Sequence, residues 1–282
     1  MSNLFNVGVS GMSAMSDSLA VIGNNIANSS TCGYKSNNLT FQEMFVSHSG
    51  QYANGVLVQY GNGVSSTGIT SDWSSGSIES TGEEANLALT GEGFFCVSYN
   101  NSVYYTRAGD FTLVEAVVDP ALGTTGYVLM RSDGSMLLGG DGVDATTNTV
   151  TNLTSSSYVY FTECPTSYEI SSDGTVTAVF SSATGSVVNG YVGVQDFNNP
   201  DSLERIEGGL YRATSMTSFG TASPSVAGQN GTGTMLQGSL EQSNVDLATQ
   251  FTDLIQAQRA FQGCSKVITV ADELLQTVLG MI

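Results

Sequence analysis

Leu247-Ala-Thr-Gln-Phe251-Thr-Asp-Leu254-Ile255-Gln-Ala-Gln-Arg-Ala-Phe261 is the stretch whose spacing sets the fold. Its apolar residues recur at helical intervals, and the pattern runs on through Ile268, Leu275, Val278 and Ile282. Such spacing gathers side chains on one helix face. The opposite end of the chain repeats the signature with Leu4, Met12, Met15, Leu19, Ile22 and Ile26. A seam near a 3.5-residue period is what a coiled-coil partner needs. The spacing therefore predicts helical ends that meet, with the rest of the chain looped out between them.

Working inward, the first helix is expected from about Asn3 to Asn28. Gly8, Gly11 and Gly23 each weaken it by roughly 1 kcal/mol relative to alanine, so it needs a partner to hold it. Asn24 to Thr31 is a run of cap and turn formers, and Gly33 completes the stop. Residues 34–72 are rich in Gly, Ser, Asn and Gln and read as an extended connector. From residue 73 to 236 short strand patterns alternate with turn signals, such as Ser102-Val-Tyr-Tyr-Thr-Arg107 after Asn100-Asn101. That stretch reads as an antiparallel all-β domain, with 140–165 a loop or reduced subdomain. Residues 237–282 lead into the second helix, with Ser243 or Asn244 as its N-cap and Asp246 in its first turn. The fold class is mixed α and β, with an N-terminal helix in 1–33 and a C-terminal helix in 237–282.

Charge narrows the function. The 282 residues carry a formal net charge of −18 with only seven Lys and Arg. Nucleic-acid binding needs clustered cations, and so does docking on anionic lipid. Residues 1–45 hold −1 and residues 243–282 hold −2, which leaves −15 on the middle. Near-neutral ends pack on copies of themselves without repulsion, while an acidic body stays solvated. No apolar run reaches the ~18 residues of a membrane span. The N-terminal stretch has no Lys or Arg before Lys35 and its apolar residues are periodic, unlike a secretory signal peptide. Export, if it occurs, is expected to use another route.

Catalytic chemistry finds little footing. His48 is the single imidazole, and beside Ser47 and Ser49 it lacks an orienting group. Cys32, Cys96, Cys164 and Cys264 form no C-x-x-C pair, which argues against zinc, and free thiols are expected. Gly139-Gly-Asp-Gly-Val-Asp144 resembles half of a calcium-binding nonapeptide, but those work as stacked arrays and here stands one copy. It reads as a β-turn. Gly91-Glu-Gly93 lacks the third glycine of a nucleotide loop. Neither a cofactor nor an enzymatic activity is expected. The apolar seams admit two arrangements: a helical hairpin covering the β body, or a coiled coil whose outer faces pack on neighbouring copies.

The motifs in order resemble those of the bacterial flagellar rod and hook axial proteins. Met12 to Lys35, with Asn24-Asn25-Ile26-Ala27-Asn28 and Gly33-Tyr34-Lys35, is similar to their N-terminal signature. Gly76-Ser-Ile-Glu-Ser-Thr-Gly82, Leu87 to Phe95 and Tyr105-Thr-Arg-Ala-Gly-Asp-Phe111 resemble the entry to their β domain. Gly238 to Asp246, with Ser243 and Asn244, and Gln258-Arg259-Ala-Phe261 resemble their C-terminal end. The resemblance implies terminal helices that form a coiled coil lining the inside of a tube. Its seam would comprise Met12, Met15, Leu19, Ile22, Ile26, Leu247, Phe251, Leu254, Ile255, Phe261, Ile268 and Leu275. It implies a β domain forming the wall, head-to-tail polymerisation, and type III flagellar export. It also implies a place in the flagellum outside the cell surface. The partners implied are rod, hook cap and hook–filament junction proteins. Ser243 to Leu247 and Gln258 to Phe261 are closest to hook protein, so a hook subunit that transmits torque is the first expectation. A distal rod subunit is the second, and an adhesin-like binding module a third. The centre is short for a hook protein, and Cys32, Cys96 and Cys264 stand inside motifs where cysteine is not expected.

Overall fold

The computed structural model describes residues 2–44, 46–51, 57–119, 124–140, 142–143, 150–151, 158–181, 186–214 and 224–280. It divides into two compact units. One comprises residues 1–29, 35–72 and 245–282, and the other residues 30–34 and 73–244.

The first unit holds both long helices, α1 (Ser2–Ala27) and α2 (Leu247–Leu279). The Asn-rich run ends α1 by supplying its own caps. The Asn28 backbone N–H still reaches the Asn24 carbonyl at 3.1 Å. The Asn28 side-chain amide donates to the same carbonyl at 2.9 Å and to Asn24 Oδ1 at 2.7 Å, adding side-chain bonds to the last turn of the helix. At the start of α2 the cap is Asp246, not Ser243 or Asn244. Asp246 is extended, and its carboxylate accepts from Ala248 N at 3.0 Å and Thr249 Oγ1 at 2.7 Å. The Thr249 hydroxyl, then the Ala248 N–H, hold the Asp246 carboxyl below the usual aspartate range. A carboxylate depressed in the fold stabilises above its unfolded pKa and ceases to do so as pH falls through the folded value. Helicity at the start of α2 is thus expected to drop as the medium is acidified below the ordinary aspartate range. Asp246→Asn, which caps without titrating, is expected to remove that dependence in far-UV circular dichroism.

Within 34–72, read from sequence as an extended connector, lie four paired strands: β1 (Asn37–Glu43), β2 (Val46–Gln51), β3 (Leu57–Gly61) and β4 (Val64–Ser71). The antiparallel register sets Asn37 opposite Ser71 and Glu43 opposite Val64, with an irregularity at Thr40/Phe41, and Val46 opposite Gly61. The backbone of His48 pairs with Gln59 in this ladder. Strand alternation was illegible because β1 beyond Asn37 and most of β4 are exposed or half-buried. A strand with no buried face carries no period-2 apolar pattern.

The second unit is antiparallel β-structure throughout its described pairings. Its centre is the strand Phe94–Tyr99, flanked by Ser102–Thr106, Met136–Leu137 and Val194–Gln195. Alternate residues of this strand serve two cores. Phe95 and Val97 join Leu87, Leu89, Phe111, Leu129 and Phe161. Phe94 and Cys96 join Tyr105, Leu138, Phe197 and Tyr211. Burial on both faces explains why the strand reads as a continuous apolar run. A four-stranded sheet joins Gly139–Gly140, Ser186–Val192, Thr175–Val179 and Ser167–Ile170. In the segment 140–165, Gly142–Val143 pairs with Val150–Thr151 and Tyr160–Phe161 with the strand Thr124–Met130. Asp141 and Asp144 of the nonapeptide-like run lie outside the described residues. The four cysteines are free thiols, and burial pushes the Cys96 thiol up.

One buried charge pair ties this unit together. Glu241 is fully buried, and its Oε2 lies 3.4 Å from Nη1 of the buried Arg107. Glu241 Oε1 accepts from Gly76 N at 2.9 Å, its backbone carbonyl accepts from Gly33 N at 2.8 Å, and Arg107 Nη2 donates to the Gly91 carbonyl at 2.7 Å. Five distant segments converge there, and the Arg107 guanidinium also stands 5.5 Å over the Phe94 ring.

Candidate functional site

The distinctive feature of the described residues of the first unit is its helix pair. Three contacts fix the direction of that pair. A Cβ on Gly8 would stand 2.8 Å from Ile268 Cγ1, a Cβ on Gly11 would stand 2.9 Å from Cys264 Sγ, and Asn25 bonds Gln250. As α1 advances α2 recedes, so the helices are antiparallel. The covered positions of α2 include Gln250, Leu254, Ala257, Phe261, Cys264, Ile268 and Ala271, alternating steps of four and three. On α1 they include Gly8, Gly11, Met15, Ser18, Ile22 and Asn25.

Half of this seam was legible and half was not. Leu254, Phe261 and Ile268 on α2, and Met15 and Ile22 on α1, are partly or fully covered, as are Met12, Leu19 and Ile26 beside them. The other half consists of small or polar residues: Gly11, Ser18 and Asn25 facing Gln250, Ala257, Cys264 and Ala271. The missed signal was their seven-residue spacing, which an apolar-only search ignores. Gly8 and Gly11 weaken α1 as an isolated helix, yet they are where α2 side chains come closest. Gly23, in contrast, faces open space: a Cβ there would meet nothing within 4 Å. Gly23→Ala is expected to raise the stability of the first unit by about 0.5–1 kcal/mol in thermal melts, whereas Gly8→Leu is expected to drive the helices apart.

Leu247, Phe251, Ile255 and Leu275, assigned from sequence to the seam, are exposed in the single chain. They lie off the covered face of α2, or beyond the part of it that α1 reaches. Phe251 and Ile255 are each 51% exposed, and Val267, Val270, Leu274 and Val278 are exposed as well. With Leu4, Phe5, Val7 and Val9 of α1 exposed too, the helices present apolar surface that this chain does not cover. An open groove of about 390 Å³ runs along the helix pair, lined by Met15, Ile22, Leu39, Phe41, Asp253 and Ala257 among others.

Asn25 is the polar centre of the first unit and is 1% exposed. Its Oδ1 accepts from Asn37 N at 2.9 Å. Its Nδ2 donates to the Asn37 carbonyl at 2.8 Å and to Gln250 Oε1 at 3.0 Å. The amide thus pairs with β1 as a neighbouring strand would, and its remaining donor reaches α2. Removing it leaves three buried groups on two elements, the Asn37 N–H and carbonyl of β1 and the Gln250 amide oxygen of α2, without this partner, each worth about 1–3 kcal/mol. Asn25→Ala is expected to lower the stability of the first unit by at least about 2 kcal/mol in urea melts. Asn25→Asp is expected to be worse, since its carboxylate would face two acceptors.

The other motif residues fall into two groups. Asn24 and Asn28 cap α1, while Gln258 and Arg259 are exposed on α2. In the second unit, Gly33 has φ +65°, and a Cβ there would stand 2.6 Å from Ala108 N, so only glycine fits. Tyr34 is buried under the Arg205 guanidinium at 4.7 Å, and its carbonyl accepts from Asn244 N at 3.4 Å. The Asn244 amide donates to the Ser74 carbonyl at 3.2 Å, and Ser243 beside it is half-buried.

A helix pair built from both chain ends, with motif residues at each end of the β segment, defines a class of protein. The family model described as flagella basal body rod protein matches residues 5–35, and that described as flagellar basal body rod FlgEFG protein C-terminal matches residues 236–281. The chain is 37% identical to the flagellar basal-body rod protein FlgG of Bacillus subtilis over 97% of each chain. It belongs to the flagellar rod and hook axial protein family. It is also 29% identical to FlgG of Caulobacter vibrioides, over 95% of this chain and 94% of that one. Against the flagellar hook protein FlgE of Escherichia coli it is 41% identical over 112 residues, which is 39% of this chain and 25% of the hook protein.

Proposed function

We propose that the chain is a structural subunit of the distal flagellar rod, with no enzymatic role, and that it polymerises head to tail into a stiff axial tube. The observation that carries this reading is the end-to-end match to FlgG rod proteins, where the hook match spans a minority of the chain. The first expectation from sequence, a hook subunit, rested on short local motifs that rod and hook proteins share. In the polymer α1 and α2 pair as a coiled coil in the inner layer and the β body forms the wall. The uncovered apolar faces of both helices support the polymer, because exposed apolar patches mark interaction surfaces. The small net charge of the ends lets copies approach, and a screw-related, non-closing contact makes a tube. Its partners are further copies, adjoining rod and hook proteins, and the flagellar type III export apparatus; its place is the flagellar basal body. Electron microscopy of polymers grown from the purified chain tests the assignment. Straight tubes are expected, and curved, supercoiled ones would return the chain to the hook.

A further inference from the structure

We propose that Asn25 selects the register of the helix pair, acting as a positioning residue through Gln250. The seam itself discriminates weakly between alignments. Sliding α2 by one heptad sets Ser18 against Cys264 and Gly11 against Ala271, so small side chains face small side chains again. Leu254, Phe261 and Ile268 also recur every seven residues, so Phe261 takes the place of Leu254 and Ile268 that of Phe261. What changes is the polar bond. In the slipped alignment Asn25 lies against Ala257, and the Gln250 acceptor loses its buried donor. The two bonds from Asn25 to Asn37 hold the amide in one orientation, leaving its outward N–H for α2 to meet at one position. A single buried polar residue fixing register is a well-attested use of such groups in helix pairs. Here Asn25 also binds β1, so choosing the register and seating β1 become one event. This inference holds for the chain's own fold and is independent of whether the tube is rod or hook.

Native Cys264 supplies the readout. A Cβ on residue 11 would lie 3.9 Å from Cys264 Cβ, within the separation a disulfide requires. In the full-length chain, oxidised and mapped by mass spectrometry, Gly11→Cys is expected to cross-link to Cys264 and Ser18→Cys is not. Adding Gln250→Met, which keeps the clamp from Asn25 to Asn37, is expected to raise the Ser18→Cys cross-link about tenfold relative to Gly11→Cys, the shift one buried hydrogen bond produces. Asn25→Leu is expected to do the same; if it unfolds the helices by circular dichroism, Gln250→Met decides alone. An unchanged ratio with Gln250→Met would overturn the proposal. So would loss of both cross-links, since the bond would then hold the pair together without choosing its alignment, and so would failure of Gly11→Cys to cross-link at the start.

Discussion

Glu241→Ala is expected to destabilise the β body by about 3–5 kcal/mol, the loss typical when one member of a buried ion pair is removed. Total stabilities of about 5–15 kcal/mol are usual, so the variant should lose a large share of its margin. The reasons are local. Arg107 would keep its charge in a site only 4% exposed, held by the Gly91 carbonyl and the Phe94 ring. Gly76 N would lose its acceptor. Burial already lowers the Arg107 pKa, with Glu241 the main opposing influence. Urea melts followed by near-UV circular dichroism measure the effect. The double variant Arg107→Met/Glu241→Leu is expected to fall between the wild type and Glu241→Ala. It removes both charges together, yet leaves Gly76 N and the Gly91 carbonyl without these side-chain partners. A loss below about 1 kcal/mol for Glu241→Ala would mean that water or rearrangement takes over the carboxylate's role.

Phe251→Asp/Ile255→Asp is expected to leave the single chain nearly as stable as the wild type and to abolish polymerisation. Both positions are half exposed on a helix face that the chain leaves uncovered, where substitutions usually change stability by less than about 0.5 kcal/mol. In the proposed tube the same face is buried against a sister subunit, and two carboxylates would enter an apolar contact without partners. A penalty of about 4 kcal/mol raises the concentration needed for assembly about a thousandfold. Sedimentation with circular dichroism on the same samples separates the two effects: folded monomers that do not pellet are the expected result. If the variant still polymerises normally, the outer face of α2 is not the contact.

These two variants also mark where the sequence was readable. The helices at the ends and the β centre followed from periodicity alone, because burial on one face writes a 3.6-residue pattern and strands between turn formers write a shorter one. Phe251 and Ile255 were legible as apolar helical positions, but whether they face α1 or another copy was not, since both faces of α2 carry apolar residues. The inner seam was half hidden because Gly11, Ser18, Ala257 and Ala271 contribute closeness and not hydrophobicity. β1 and β4 were invisible because their ladder is held by backbone bonds on a largely uncovered surface. The pairing of Arg107 with Glu241 links residues 134 apart in sequence, and no local pattern encodes such a contact. Asn25 was found through the family motif, while its role came from the geometry around Asn37 and Gln250.

Helical reconstruction of the assembled polymer by electron cryomicroscopy tests the central claim most directly. The predicted result is a straight tube with α1 and α2 as its innermost layer and with Phe251 and Ile255 buried on a neighbouring subunit. A polymer with those side chains open to solvent, or with the β body lining the bore, would contradict it.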